Sequence, residues 1–294
     1  MTVNDEMVRL AADAAERIGP AVVRVGRGGG LVVAEGKVLT NAHNLHGEEA
    51  EVVFPDGRSV TASLLGVDLD GDLAVLAAGT GTVVAPQWRE EGAPALGTVV
   101  LAVSARLDGG LRVTVGTVSA TGRAFRGPGG RLIGGAIEHT APLARGSSGT
   151  PLVGPDGRVA GLNTHRIASG FYLAQRADAG LARRVEALGR GVSGRRVRLG
   201  VALVPPHAAG RLRAAVGLPP RDGLLVRAVE AGGLADRAGI REGDLIVGAA
   251  SVAVASVDDL HGALDGLEEG GTLQLRVVRG VEELEITVVA TPDC

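Results

Sequence analysis

Hydrophobic positions change their period along the chain, and each change marks an element boundary. Between residues 3 and 18, Met7, Leu10, Ala11, Ala14 and Ile18 fall at helical spacing, and Gly19-Pro20 stops the helix. From Ala21 the pattern becomes short apolar runs separated by glycine turns: Ala21–Val25, Leu31–Val33, Val38–Thr40, Glu51–Phe54, Ser59–Leu65 and Leu73–Ala77. A second group follows at Thr98–Ser104, Leu111–Ser119, Ile133–His139, Pro151–Val153, Arg158–Thr164 and Phe171–Ala174. Two groups of short strands predict two all-β barrels, with Arg176–Leu188 reading as a closing helix. Gly189–Arg196 has no periodicity and reads as a linker. Beyond it, Asp222–Val226 and Leu245–Val247 read as strands, and Gly239 ends a short helix. Ser256 with Asp259 starts a capped helix that carries Leu260, Leu264 and Leu267. The expected organisation is an N-terminal helix at 1–19, a β-rich domain at 20–190 and a second domain at 197–292.

Composition narrows the picture. Aromatic residues make up only 2% of the 294 positions, so both cores must be built from Val, Leu, Ile and Ala. The net charge of −3 comes with no basic block, which gives no electrostatic reason to expect nucleic-acid binding. Cys294 is the one cysteine, which excludes an intrachain disulfide and cysteine-based zinc sites. His46, His139, His207 and His261 are scattered without ligand spacing, so neither a metal nor a cofactor is expected. No apolar stretch approaches the ~18 residues of a membrane span. The acidic start MTVNDEMVRL lacks the basic and apolar regions of a signal peptide, so the chain as written reads as cytoplasmic.

Candidate chemistry lies in Arg145–Asn163. Gly146-Ser147-Ser148-Gly149 sets a serine in a glycine-bounded turn, and a strand–turn–strand follows. A serine hydroxyl is a weak nucleophile unless a base and an orienting acid accompany it. Upstream, His43 in Leu39–His43 and Asp72 in Gly71–Leu76 can supply both. Their chain order, His, Asp, Ser, is that of chymotrypsin and not of α/β-hydrolases or subtilisins.

VLTNAH around His43, DLAVL after Asp72, TVGTVSATGR at 114–123 and GSSGTPLV around Ser148 together resemble the motif blocks of HtrA/Deg-type trypsin-like serine proteases. GLLV at 223–226, GGLADRAGIREGDLIV and SVDDLHGAL resemble a bacterial PDZ domain. The resemblance implies a mainly β chain: a chymotrypsin-like double β-barrel followed by an α+β PDZ domain. It implies a serine endopeptidase acting on unfolded or damaged proteins. Ser148 would attack, His43 would act as base and Asp72 would orient it. The N–H groups of Gly146, Ser147 and Ser148 would form the oxyanion hole.

By the same resemblance, Leu143, Ile167 and Ser169 line the specificity pocket. Pro142 stands where a trypsin selective for Lys or Arg carries aspartate, so a small or medium apolar side chain is expected before the scissile bond. His165 and Arg166 fall on the strand that would pair with substrate, though a solvated strand end explains them more simply. Gly223, Leu224 and Leu225 would cup a peptide C-terminus beside Leu260 and Leu264. The family's N-terminal segment carries aromatics that lock a trimer; none stands here, which argues against that homo-oligomer. Relatives are often exported, so a periplasmic or envelope location is the alternative if the sequence is a trimmed segment. Thr150 and Arg145 replace the family's glycine and proline. They motivate a second reading, a catalytically silent peptide-binding or chaperone-like scaffold.

Overall fold

The computed structural model describes residues 2–89, 92–193, 197–204, 206–265, 267 and 270–290. The chain divides into two compact units, residues 1–194 and 195–294.

Unit one opens with helix α1 (Val3–Arg17), whose first turn is closed by a reciprocal capping box between Thr2 and Asp5. Leu10, Ala11, Ala14 and Ile18 turn into the barrel core, as the helical spacing predicts. Gly19 packs closely under the Leu111 side chain, where an added Cβ would stand 2.2 Å from Leu111 Cδ1 and make that side chain shift. Six strands follow: β1 (Val22–Val25), β2 (Gly28–Ala34), β3 (Lys37–Thr40), β4 (Glu49–Val53), β5 (Ser59–Asp68) and β6 (Leu73–Ala77). They close into a barrel in the order β1-β2-β3-β6-β5-β4. Strands β7 (Val99–Ala105), β8 (Leu111–Arg126), β9 (Leu132–His139), β10 (Pro151–Val153), β11 (Val159–Ala168) and β12 (Phe171–Arg176) form a second barrel, in the order β10-β11-β12-β9-β8-β7. One apolar cluster joins the two: Val22, Val23 and Leu31 from the first pack with Leu101, Val103 and Val153 from the second.

Several boundaries differ from the sequence expectation, among them the ends of β5 at Asp68 and β11 at Ala168. Strand β8 runs on to Arg126 because its hairpin with β9 continues past Ser119, with bulges absorbing the twist. The closing helix α2 (Ala179–Leu188) starts three residues after Arg176, which belongs to β12. Asp178 sets that start by accepting the Leu181 N–H at 2.8 Å, a side-chain cap that Arg176 cannot supply. Of the expected linker, residues 194–196 lie outside the described residues. Ser193 still belongs to unit one, where its hydroxyl accepts the Val67 N–H.

Unit two is an α+β module. Its strands β13 (Val201–Leu203), β14 (Leu224–Val229), β15 (Leu245–Ala249), β17 (Thr272–Arg279) and β18 (Glu282–Val289) lie in that order, and β16 (Val252–Ala253) pairs with β15. Helices α3 (Pro206–Ala215), α4 (Leu234–Ala238) and α5 (Val257–Asp265) complete it. The Ser256–Asp259 capping pair forms as expected, with Asp259 N–H on Ser256 Oγ at 3.2 Å and Ser256 N–H on Asp259 Oδ2 at 2.8 Å. The helix stops at Asp265, before Leu267, which packs against the core from the following loop.

Candidate active site

His43 sits in a single 3₁₀ turn, Ala42–Asn44, directly after β3. Asp72 sits in the turn between β5 and β6, with its side chain fully buried. Two side-chain contacts join them, His43 Nδ1 to Asp72 Oδ2 at 2.8 Å and to Oδ1 at 3.0 Å. The His43 backbone N–H donates to Oδ1 as well, at 3.1 Å, and Asn41 Nδ2 donates to the Asp72 carbonyl at 2.9 Å. These bonds hold Asp72 at φ 53°, a left-handed conformation that aspartate tolerates better than most side chains.

The second barrel braces this turn from its far side. Gln175 donates to the Gly71 carbonyl at 2.8 Å, and Arg131 pairs with Asp70 at 3.4 Å. Thr164 Oγ1 donates to Asp72 Oδ2 at 3.2 Å. Thr164 also touches the serine, because Ser148 Oγ donates to its carbonyl at 2.7 Å. Among the described residues no hydrogen bond joins Ser148 Oγ to His43. Asp72 and Ser148 therefore meet on opposite ends of one threonine, a role that no motif spacing advertises. His165, the next residue, is half-buried, with Nδ1 2.8 Å from Thr164 Oγ1 and its ring 4.7 Å from Phe125 and 5.7 Å from His43. Burial pushes its pKa down, with Asp72 opposing and His43 adding to the shift. It is thus packed against the site and is not the solvated strand end that the sequence suggested.

The serine loop is fixed by steric fit and by polar bonds. Gly149 has φ +90°, and a Cβ there would come within 2.2 Å of the Gly29 carbonyl oxygen. The Ser148 carbonyl accepts from Gly29 N–H at 2.7 Å and from Asn44 Nδ2 at 2.9 Å, which ties the loop to the first barrel beside His43. Gly146 takes φ +80°, and its missing Cβ makes room for the Arg27 carbonyl. Thr150 is not among the residues with positive φ, so its β-branched side chain is unstrained there. It contributes instead: Oγ1 donates to the Ser147 carbonyl at 2.7 Å, and its N–H reaches the same oxygen at 3.2 Å. Asn163 Nδ2 donates to Thr150 Oγ1 and to the Pro151 carbonyl, both at 3.2 Å. Asn163 Oδ1 lies 3.0 Å from Nε2 of His139, which is fully buried and stacked on Tyr172. Burial drives the His139 pKa down to about 4, with the Asn163 hydrogen bond opposing.

A pocket of about 160 Å³ opens beside Ser148, lined among others by Leu143, Arg145, Thr164, His165, Arg166 and Tyr172. Leu143 is where the sequence expected it. Ile167 and Ser169 are not in the lining; both lie on the exposed outer end of the β11–β12 hairpin. The pocket wall is completed by Tyr172, which approaches from β12 across the sheet from Arg166.

Residues 28–162 match the trypsin-like peptidase domain model, and residues 197–289 match the PDZ domain model. Serine protease HTRA1 of Xenopus tropicalis is 30% identical over 314 residues, covering 94% of this chain and 66% of that protein. A protein of Chlamydia muridarum named probable periplasmic serine endoprotease DegP-like is 31% identical over 277 residues, covering 90% of this chain and 54% of its own length. The chain therefore spans about two thirds and about half of these two relatives. The solved structure of the HtrA-type protease AlgW with a decapeptide superimposes with a TM-score of 0.74 at 24% identity, covering 97% of this chain and 99% of that one. The chain is a homologue of the HtrA-type serine proteases.

In this HtrA homologue the peptide site expected on the PDZ unit has to move. Gly223, Leu224 and Leu225 cannot receive an added strand, because β14 is an interior strand. Leu224 and Leu225 pair with Ile246 and Leu245 of β15, and Val204 N–H already holds the Leu225 carbonyl on the other side. Leu224 is fully buried, and a Cβ on Gly223 would stand 2.7 Å from the Ile246 carbonyl oxygen, so this segment does structural work. Leu260 and Leu264 are core residues too, clustered with Leu199 and with the flanks of β13, Val201 and Leu203. Among the described residues the sheet ends at β13 on one side and at β18 on the other, and Leu260 and Leu264 pack beside β13. Among the described residues no group of His, Cys, Asp and Glu could hold a metal ion, and no helix is long and apolar enough to cross a membrane.

Proposed function

We propose that this HtrA homologue is a serine endopeptidase in which Ser148, His43 and Asp72 act together. The observation that carries the reading is the bonded chain from His43 through Asp72 to Thr164 and on to Ser148. Rotation of Ser148 Oγ from the Thr164 carbonyl to His43 Nε2 sets up the attack. Oγ then bonds to the peptide carbonyl carbon, its proton passes to Nε2, and the carbonyl oxygen becomes an oxyanion. The N–H groups of Gly146, Ser147 and Ser148 stabilise that charge; one such donor is worth roughly 10²–10³ in rate. His43 returns the proton to the leaving amine, and water hydrolyses the acyl-enzyme by the same route.

Unfolded proteins are the substrates of this reading, since an extended backbone is needed to pair with β11 at the cleft. The PDZ unit recruits peptide C-termini by β-addition at the edge of β13, the edge strand beside which helix residues Leu260 and Leu264 pack. A periplasmic or envelope setting, the alternative to the cytoplasmic one, is supported by the name of the DegP-like relative.

An organofluorophosphonate tests the assignment: it should label Ser148 in the folded protein and fail with Ser148→Ala, and casein cleavage should vanish in the same variant. The bond from Ser148 Oγ to the Thr164 carbonyl favours a second reading, a silent scaffold. Absence of labelling both with and without a PDZ-binding peptide would establish that reading instead.

A further inference from the structure

The pocket beside Ser148 is furnished with hydrogen-bond donors and positive charge. Arg166 folds its guanidinium back over Tyr172, with Cζ 5.3 Å from the ring centroid and Nη2 donating to the phenol oxygen at 3.0 Å. That hydrogen bond, opposed by burial and assisted by the Leu143 backbone N–H, lowers the Tyr172 pKa. With Arg166 donating to the phenol oxygen, the hydroxyl keeps its own hydrogen to donate to an acceptor in the pocket. Arg145 is a second guanidinium in the lining. Among the described residues neither arginine has a carboxylate partner, and no Asp or Glu belongs to the lining. Both arginines are exposed residues that water solvates in the free protein, and a carboxylate entering the pocket gains charge-assisted, planar bonds from them.

We infer that Arg166, with the Tyr172 hydroxyl and Arg145, selects an acidic side chain, glutamate above all, immediately before the scissile bond. This rests on Ser148 being the nucleophile, which makes the adjoining pocket the seat of that side chain. It replaces the apolar preference expected from the sequence, where Pro142 excluded a trypsin-like carboxylate but said nothing about what would stand there. A lysine or arginine is repelled, and an apolar side chain gains no charge-assisted bond from the guanidinium. Glutamate reaches further than aspartate by one methylene, which lets its carboxylate span to the Arg166 guanidinium more readily.

The test uses the full chain and two readouts. In the first, quenched peptides differing only in Glu, Gln, Val or Lys before the scissile bond are cleaved by the wild type. Glutamate should exceed its uncharged isostere glutamine by roughly 10- to 100-fold in kcat/KM, the worth of a charge-assisted hydrogen bond, with lysine slowest. Arg166→Ala should erase the Glu/Gln ratio, Tyr172→Phe should reduce it, and Arg166→Glu should invert the order towards lysine. In the second, N-acetylated and C-amidated versions bind to Ser148→Ala, which needs no catalysis and cannot engage a terminal-carboxylate site. Preference for valine, or a Glu/Gln ratio unchanged in Arg166→Ala, overturns the inference. If fluorophosphonate labelling persists in that event, the peptidase reading stands without this pocket. If labelling fails while Ser148→Ala still binds the glutamate peptide tightest in an Arg166-dependent way, the pocket stands and the peptidase reading falls.

Discussion

Protonating His139 should loosen the whole serine loop, and the structure gives both the size and the sign of the effect. Asn163 uses its amide nitrogen to donate to Thr150 Oγ1 and Pro151, so its Oδ1 can only accept from His139. His139 must therefore carry its hydrogen on Nε2, which leaves Nδ1 buried, unprotonated and without a partner. A second proton would put a charge at Nδ1 with nothing to receive it, which is why burial takes the pKa from 6.5 to about 4. In the unfolded chain the same imidazole titrates at its ordinary value. Because the folded pKa is the lower one, the stabilisation is complete above pH 6.5. It is lost as pH falls from there towards about 4, where the unfolded state binds a proton that the folded state refuses. The loss approaches ~1.4 kcal/mol per pH unit and totals on the order of 3 kcal/mol, a large share of an ordinary domain's stability. Urea unfolding of the wild type and of His139→Gln, followed at pH 7.5, 5.5 and 4.5, isolates this group, since every other carboxylate and histidine is common to both. The gap in stability between wild type and variant should shift by ~2–3 kcal/mol across that range, against the wild type at low pH. Parallel profiles would refute the tautomer argument and the linkage drawn from it.

Three further outcomes follow from single contacts. Thr164→Val removes the hydroxyl from Asp72 but keeps the backbone carbonyl, and should lower kcat by roughly 10-fold with little change in KM, as read from peptide hydrolysis. Gly149→Ala places a methyl group 2.2 Å from the Gly29 carbonyl at φ +90°. It should cost at least ~2 kcal/mol by urea unfolding and abolish fluorophosphonate labelling. Ala250 holds φ 50° in the β15–β16 turn, a left-handed conformation that favours glycine. Ala250→Gly should raise the stability of the second unit by up to about 1 kcal/mol, seen as a higher thermal midpoint.

Much of this protein is local and so could be read from the chain. Helical spacing placed Leu10, Ala14 and Ile18 on the buried face of α1, because a 3.6-residue period has only one apolar stripe to bury. Short apolar runs separated by glycine turns marked the strands, and the Ser256–Asp259 cap lies within one turn of helix. The candidate triad was legible because each member sits in its own short motif. What depends on the far side of a sheet was not legible. Thr164 and Asp72 lie 92 positions apart, and their bond exists only because the second barrel's β11 is brought against the β5–β6 turn of the first. The pocket was misread for the same reason. Arg166 and Tyr172 meet across the β11–β12 register, while the hairpin carries Ile167 and Ser169 outward. The peptide edge in the second unit depends on strand order: Leu224 and Leu225 are strand residues in either reading, but only the pairing of β14 on both sides closes that position and leaves β13 open. Periodicity reports what one element buries, and pairing, register and the charge left inside a pocket are properties of two or more elements at once.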